Sequence, residues 1–247
     1  MMKKTTAAKK KSAAASTKPA SAKGKSKKQP KVDVKPERVA AILAGLRKAH
    51  PNAECALIHK SPWELVVATI LSAQCTDVRV NLVTPQLFKN FPTPKAFAEA
   101  SLTSIEEDIR TTGFFRNKAK SISGAAKLLV TKYKSKVPET MDELLELPGV
   151  ARKTANVVLG VAFKKAEGIV VDTHVLRLSK RLQLTVNTDP KKVEHDLVKI
   201  IPRDRWIDFS HELILHGRQT CIARKPRCEQ CILEPVCNSS DKTFTTH

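Results

Sequence analysis

The sequence has no run of about 18 apolar residues, so nothing in it reads as a membrane-spanning helix. The start of the chain, MMKKTTAAKKKSAAASTKPASAKGKSKKQPK, has no apolar core, which excludes a secretory signal. It also has no arginine, whereas organelle transit peptides prefer arginine. Strand-like alternation is scarce throughout: Gly168–Val171, GIVV, is the one candidate, and it is too short to argue a sheet. Acidic residues are under-represented, 24 against 44 lysines and arginines, which leaves a net charge of +20. Such an excess does nothing for folding and points to a polyanionic partner, nucleic acid or an anionic membrane surface. Cysteine is sparse outside one place: Cys55 and Cys75 stand alone, and the other four fall within 17 residues near the C-terminus. Without a secretory signal a reducing compartment is expected, where clustered thiols mean metal before disulfide.

The charge is unevenly distributed. Residues 1–36 hold twelve lysines and one acid, Asp33, for +11, and the rest of the chain carries +9. Residues 1–35 have almost no large apolar side chain, cannot offset their ordering entropy, and are expected to form a disordered basic tail, a solubilising or phosphate-tracking arm.

From Lys35 onward the signals are helical. KPERVAAILAGLRKAH places Val39, Ile42, Leu43 and Leu46 on one face after a proline start. SPWELVVATILSAQ opens with Ser61, Pro62 and Glu64 as a capping box and is apolar nearly all round, which predicts a central buried helix. TPKAFAEA, TSIEEDIRTTG (ending at Gly113), NKAKSISGAAKLLVTKYK, PETMDELLEL, ARKTANVVLGVAF, THVLRLSKRL, DPKKVEHDLVKII and WIDFSHELILHG bring the count to about ten helices joined by short loops.

Three patterns carry chemistry. Cys221, Cys228, Cys231 and Cys237 are spaced C-x6-C-x2-C-x5-C. Four thiolates suit zinc or an iron–sulfur cluster, and a single C-x-x-C favours the cluster modestly, because structural zinc sites more often pair two such knuckles. Arg224, Lys225 and Arg227 lie inside the longest of these loops, as phosphate contacts or as a solvated charge run. The second pattern is MDELLEL, PGVA, RKTANVV: helix, tight turn at Gly149, helix. Turn and helix-start N–H groups then point outward and suit a phosphate oxygen, although an ordinary αα-hairpin has the same outline. In this pattern Arg152 and Lys153 occupy a first helical turn, where the dipole disfavours positive charge by at most about 1 kcal/mol. The third is VVDTH, where Asp172 reads first as a helix N-cap and His174 as a packing residue.

Together LLELPGVARKTANVVL, VDTHVLRLSKR, ILHGRQTCIARKPRCEQCILEPVC and LSAQCTD resemble the endonuclease III family, the DNA glycosylase and apurinic/apyrimidinic lyases of the helix–hairpin–helix superfamily, over about residues 36–240. The resemblance implies an all-α, two-domain architecture: a six-helix barrel over 56–166 holding the hairpin, and a domain joining 36–55 to 167–240 with the cluster loop at its end. It implies that Lys153 is the nucleophile and Asp172 the catalytic carboxylate, facing each other across an interdomain cleft, and that the helix start favours the neutral, attacking amine. Gln74 would fill the gap left by an extruded base, and Phe114 takes a wedge position commonly held by Leu or Ile. Gly149, Ala151 and Arg152 join the DNA-binding set; the family hairpin is usually Gly-Val-Gly, and here it is Gly149, Val150, Ala151. The four cysteines would hold a [4Fe–4S] cluster.

The implied activity is removal of oxidised pyrimidines from duplex DNA, followed by lyase cleavage at the abasic site through a lysine Schiff base, by a monomer with no membrane. A bacterial source implies the cytoplasm and nucleoid, a eukaryotic one the nucleus or mitochondria. Two other readings stand beside it. Monofunctional adenine-removing relatives share the cluster but lack the lysine, and only about ten residues follow Cys237, no room for their recognition domain. A non-catalytic iron–sulfur DNA-binding or electron-transfer protein would not need the Lys153 and Asp172 pair.

Overall fold

The computed structural model describes residues 32–243; the basic tail expected over 1–35 lies outside them except for its last four residues. The described residues form eleven α-helices, four short 3-10 turns and no strand, an all-α fold. No helix among them is long and apolar enough to cross a membrane.

Helix α1 (Pro36–Ala49) buries Val39, Ile42, Leu43 and Leu46, the face its spacing dictates. Helix α2 (Pro62–Leu71) buries Trp63, Leu65, Val66, Val67, Ala68, Ile70 and Leu71, so it runs through the interior as its composition requires. Its start is fastened as expected at one end of the box, with Glu64 N–H donating to Ser61 Oγ (3.2 Å), but the Glu64 carboxylate accepts from Lys60 N–H (2.6 Å) and not from Ser61. Helix α3 (Asp77–Asn90) is one the sequence reading leaves out. Pro85 inside it removes an N–H, and Val78 and Leu82 are solvent-exposed, so its apolar pattern is blurred. Thr76 caps it, and Val80, Thr84 and Leu87 bury a narrow stripe.

Helices α4 (Pro94–Glu99) and α5 (Leu102–Ile109) come next, capped by Thr93 and Ser101; α5 tightens into a 3-10 turn (Arg110–Thr112) that Gly113 ends with φ +71°. Then come α6 (Phe115–Lys132), α7 (Met141–Glu146), α8 (Arg152–Phe163), α9 (Thr173–Arg181), α10 (Pro190–Ile200) and α11 (Trp206–Gln219). Gly168–Val171 pairs with no strand among the described residues; Ile169, Val170 and Val171 are buried, and Val170 N–H donates to Ser210 Oγ (3.1 Å) on α11.

The described residues form one compact unit with two hydrophobic cores. The first draws on residues 57–159, in helices α2 to α8. The second draws on 39–46 and 169–233. Helix α2 packs against α3, α6 and α8 in the first, and α11 packs against α1 and α9 in the second.

Candidate active site

The hairpin between α7 and α8 turns at Gly149, where φ is +81°. A Cβ built there would stand 2.7 Å from Ser121 Cβ, so both the backbone angle and the packing on α6 require glycine. Ala151 is the N-cap of α8 at φ −95°, ψ 169°, an ordinary extended conformation, so alanine in place of the family's second glycine carries no strain. Alanine has no side-chain acceptor, and the first amides of α8 remain uncapped donors. Ser, Thr or Asp side chains occupy the equivalent positions of α2, α3, α4, α5, α7, α9 and α10.

Of the two cations in the first turn of α8, Arg152 is paired with a carboxylate while still partly exposed. Its Nε donates to Glu194 Oε2 (3.0 Å) and its Nη2 to Oε1 (3.1 Å), while Asn156 Nδ2 donates to the same Oε1 (2.9 Å). Glu194 sits on α10 and is buried, so the guanidinium neutralises an interior carboxylate and ties the hairpin helix to the second core. Lys153 has no such partner and is exposed.

Asp172 does cap a helix, as its bland reading holds. Its Oδ1 accepts from the amides of His174 and Val175, both at 2.8 Å. The cap fixes the carboxylate at the start of α9, immediately after the buried Ile169–Val171 segment. Lys153 and Asp172 line the same cleft, which holds about 730 Å³ counting its open side. One wall, with Thr69, Ser72 and Val157, lies along α2 and α8 of the first core; the other, with His211, Ile214 and Arg218, lies along α11 of the second. Across it Arg218 Nη2 donates to Asp77 Oδ2 (2.6 Å), joining α11 to α3. Burial lowers the pKa of His211 in the same wall. His174 is half-buried, with Arg177 Nη2 3.3 Å from its Nδ1, a packing role.

Gln74 and Phe114 are both exposed, and both hold left-handed backbone at φ +53° and +48°, unusual for residues other than glycine. Strain of this kind persists where surrounding structure enforces it, and it gathers at functional turns. Lys118, a neighbouring amine, is buried and hydrogen-bonded to two backbone carbonyls, so it is not an available nucleophile.

Cys221, Cys228, Cys231 and Cys237 are free thiols around one cavity of about 360 Å³ counting its mouth. Burial pushes the Cys231 thiol up to about 11 and raises Cys237 as well, so thiolates here need a positive group to hold them. Two arginines one turn apart on α9 brace the loop. Arg177 donates to the carbonyls of Gly217 (2.8 Å) and Cys221 (3.0 Å); Arg181 donates to Cys221 Sγ (3.3 Å) and to the carbonyl of Ile222 (2.8 Å). His216 Nε2 lies 3.4 Å from Cys231 Sγ. Arg224, Lys225 and Arg227 are exposed around the buried Pro226.

The sequence offered no sign of the Arg152–Glu194, Arg218–Asp77 or Arg181–cysteine contacts, because each joins residues 40 or more positions apart with no shared motif.

Residues 67–203 match the model of the HhH-GPD superfamily base excision DNA repair proteins. The chain is 53% identical to endonuclease III of Synechocystis sp., over 85% of this chain and 96% of the relative, and 43% identical to endonuclease III of Escherichia coli K12, over 81% and 95%. Its fold superposes on a non-covalent endonuclease III–DNA complex with a TM-score of 0.79 (42% identity, 83% of this chain, 96% of the other). It superposes equally well on a trapped endonuclease III–DNA covalent intermediate (0.79, 43%, 83% and 97%). With the hairpin, the lysine- and aspartate-lined cleft and the four-cysteine loop all present, this chain belongs to the endonuclease III family of base excision repair proteins.

Proposed function

We propose that this chain removes oxidised pyrimidines from duplex DNA and then cleaves the strand at the resulting abasic site, acting as a monomer whose cleft is complete within one chain. The observation that carries the reading is Lys153 and Asp172 lining one cleft beside an uncapped hairpin. The target nucleotide must leave the stack for its C1′ to be reached. Gln74 then fills the vacated gap and Phe114 wedges beside it. The outward amides around Gly149 and Ala151 bind phosphate without reading sequence. Arg152 supports this from within, by fixing the start of α8 against Glu194.

Lys153 Nζ attacks C1′ in its neutral form. The N–C1′ bond forms as the glycosidic bond breaks, and the electron pair leaves with the base, which takes up a proton. Ring opening gives the Schiff base. Loss of a C2′ proton sends its electrons through the conjugated system to expel the 3′ phosphate, cutting the strand. Asp172, held by its two capping bonds, stabilises positive charge developing at the sugar and relays protons.

Cys221, Cys228, Cys231 and Cys237 would hold a [4Fe–4S] cluster; four thiols lining one cavity, with a single C-x-x-C, suit that group. When bound, the cluster cross-links the C-terminal loop and pins Arg224, Lys225 and Arg227 in place as phosphate contacts. We read the two cores as belonging to two domains, 56–166 and 36–55 with 167–240, with the cleft at their junction. A strand-nicking assay on abasic duplexes and on duplexes with an oxidised pyrimidine tests the reading. Cleavage of both is expected; release of the base without any nick would favour a monofunctional enzyme, and binding alone a non-catalytic one.

A further inference from the structure

Lys118 is only 5% exposed, an uncommon situation for a lysine. From α6 its Nζ donates to the carbonyl of Leu71 (2.8 Å) and to the carbonyl of Thr112 (2.7 Å). Both acceptors are last residues of a helix: Leu71 ends α2, and Thr112 ends the 3-10 turn after α5. Helix ends present carbonyls without onward partners and partial negative charge, which an ammonium satisfies well. Burial lowers the pKa of this lysine, so ordinary solvation does not explain its place; the two carbonyls do.

Each carbonyl lies just upstream of a strained turn. Three residues beyond Leu71 is Gln74, and two beyond Thr112 is Phe114, both exposed and both left-handed. Two such turns, from segments about forty residues apart, are thus rooted on one ammonium. They relax unless something holds them.

We propose that Lys118 is a positioning residue, a buried clamp that fixes the Gln74 and Phe114 turns relative to each other so that both side chains enter the duplex together. The proposal rests on the reading of Gln74 and Phe114 as duplex-entering residues. It gives Lys118 no role in the bond-making steps, which belong to Lys153. Its effect therefore falls on base extrusion, the step that a lesion still paired in the duplex demands and an abasic site largely does not.

The experiment compares single-turnover rates on two duplexes, one with a paired oxidised pyrimidine and one with an abasic site, for the wild type, Lys118→Met, Phe114→Ala and the double variant, with thermal melting of each. Losing two charge-assisted hydrogen bonds in Lys118→Met is expected to slow the paired lesion about tenfold more than the abasic site. The double variant is expected to be slowed less than the product of the single effects, because both changes disable one device. If Lys118→Met does not fold at the assay temperature, Lys118→Gln, which keeps a neutral donor, carries the same comparison. Equal slowing on both substrates with a lowered melting point would make Lys118 a purely structural residue and overturn the proposal, as would single effects that multiply. Phe114→Ala selective for the paired lesion alongside an unselective Lys118→Met would overturn the clamp alone. An unselective Phe114→Ala would overturn the wedge reading and the clamp with it.

Discussion

Arg152 shows how residue-level electrostatics settle a question that the linear order leaves open. Two adjacent cations at a helix start look like a paired phosphate clamp, yet the fold separates them: Arg152 meets a buried glutamate and Lys153 faces the cleft. The consequence is measurable. Arg152→Ala leaves Glu194 buried with Asn156 as its remaining side-chain donor, and a stability loss of about 1–3 kcal/mol in urea titration is expected. DNA affinity should change less than it would for a direct phosphate contact, and an unchanged unfolding midpoint with a large affinity loss would reverse this assignment. Lys153 and Asp172 stand in motifs that could be singled out from the sequence, and the fold sets both along one cleft. Glu194, His211 and Arg218 could not be singled out, because their meaning depends on which distant segment folds against them. Asp172 reads two ways in the sequence, as a cap and as a catalytic candidate; the fold shows the cap, made by one carboxylate oxygen.

At the scale of elements, helix starts were the clearest signal. Ser61 and Asp172, both read as caps, accept backbone hydrogen bonds, and Thr93 and Asp189 do the same at the starts of α4 and α10. Helix α3 was missed because Pro85 breaks its pattern and its exposed Val78 and Leu82 mimic a second apolar face. GIVV looked like a strand because it is a short apolar run; it is the buried segment that leads into Asp172 at the cleft. That segment starts at Gly168, where an added Cβ would stand 2.1 Å from Glu194 Oε1 and 2.7 Å from Asn156 Nδ2. Gly168→Ala must therefore push the carboxylate off Arg152 and Asn156 or displace the segment itself. A loss of about 1–3 kcal/mol is expected by thermal or urea unfolding, together with slowed strand cleavage. A variant as stable and as active as the wild type would show that the Glu194 node does not position Asp172.

For the whole molecule, the two cores explain the cleft. One is drawn from a continuous stretch, the other from the chain's start and its last third, so closing the second core brings Asp172 to the cleft that Lys153 lines. The cysteine loop ends that second core, with Cys221, Cys231 and Cys237 packed against it. Cys228→Ala is expected to lose both iron and acid-labile sulfide from anaerobically purified protein and to lower its unfolding midpoint, because the loop then lacks its cross-link. Stoichiometric zinc without iron in the unmodified protein would contradict the cluster. The central claim, that this fold exists to place one amine against a sugar carbon, is tested most directly by trapping. Borohydride present during turnover reduces a Schiff base to a stable amine, so the wild type should become covalently joined to abasic or oxidised-pyrimidine duplexes. Lys153→Gln should form no such adduct and lose nearly all cleavage while still binding DNA, since phosphate contacts come from the hairpin backbone and the surrounding cations. An adduct of wild-type yield from Lys153→Gln would mean that another amine attacks the sugar, and the account of this cleft would be wrong.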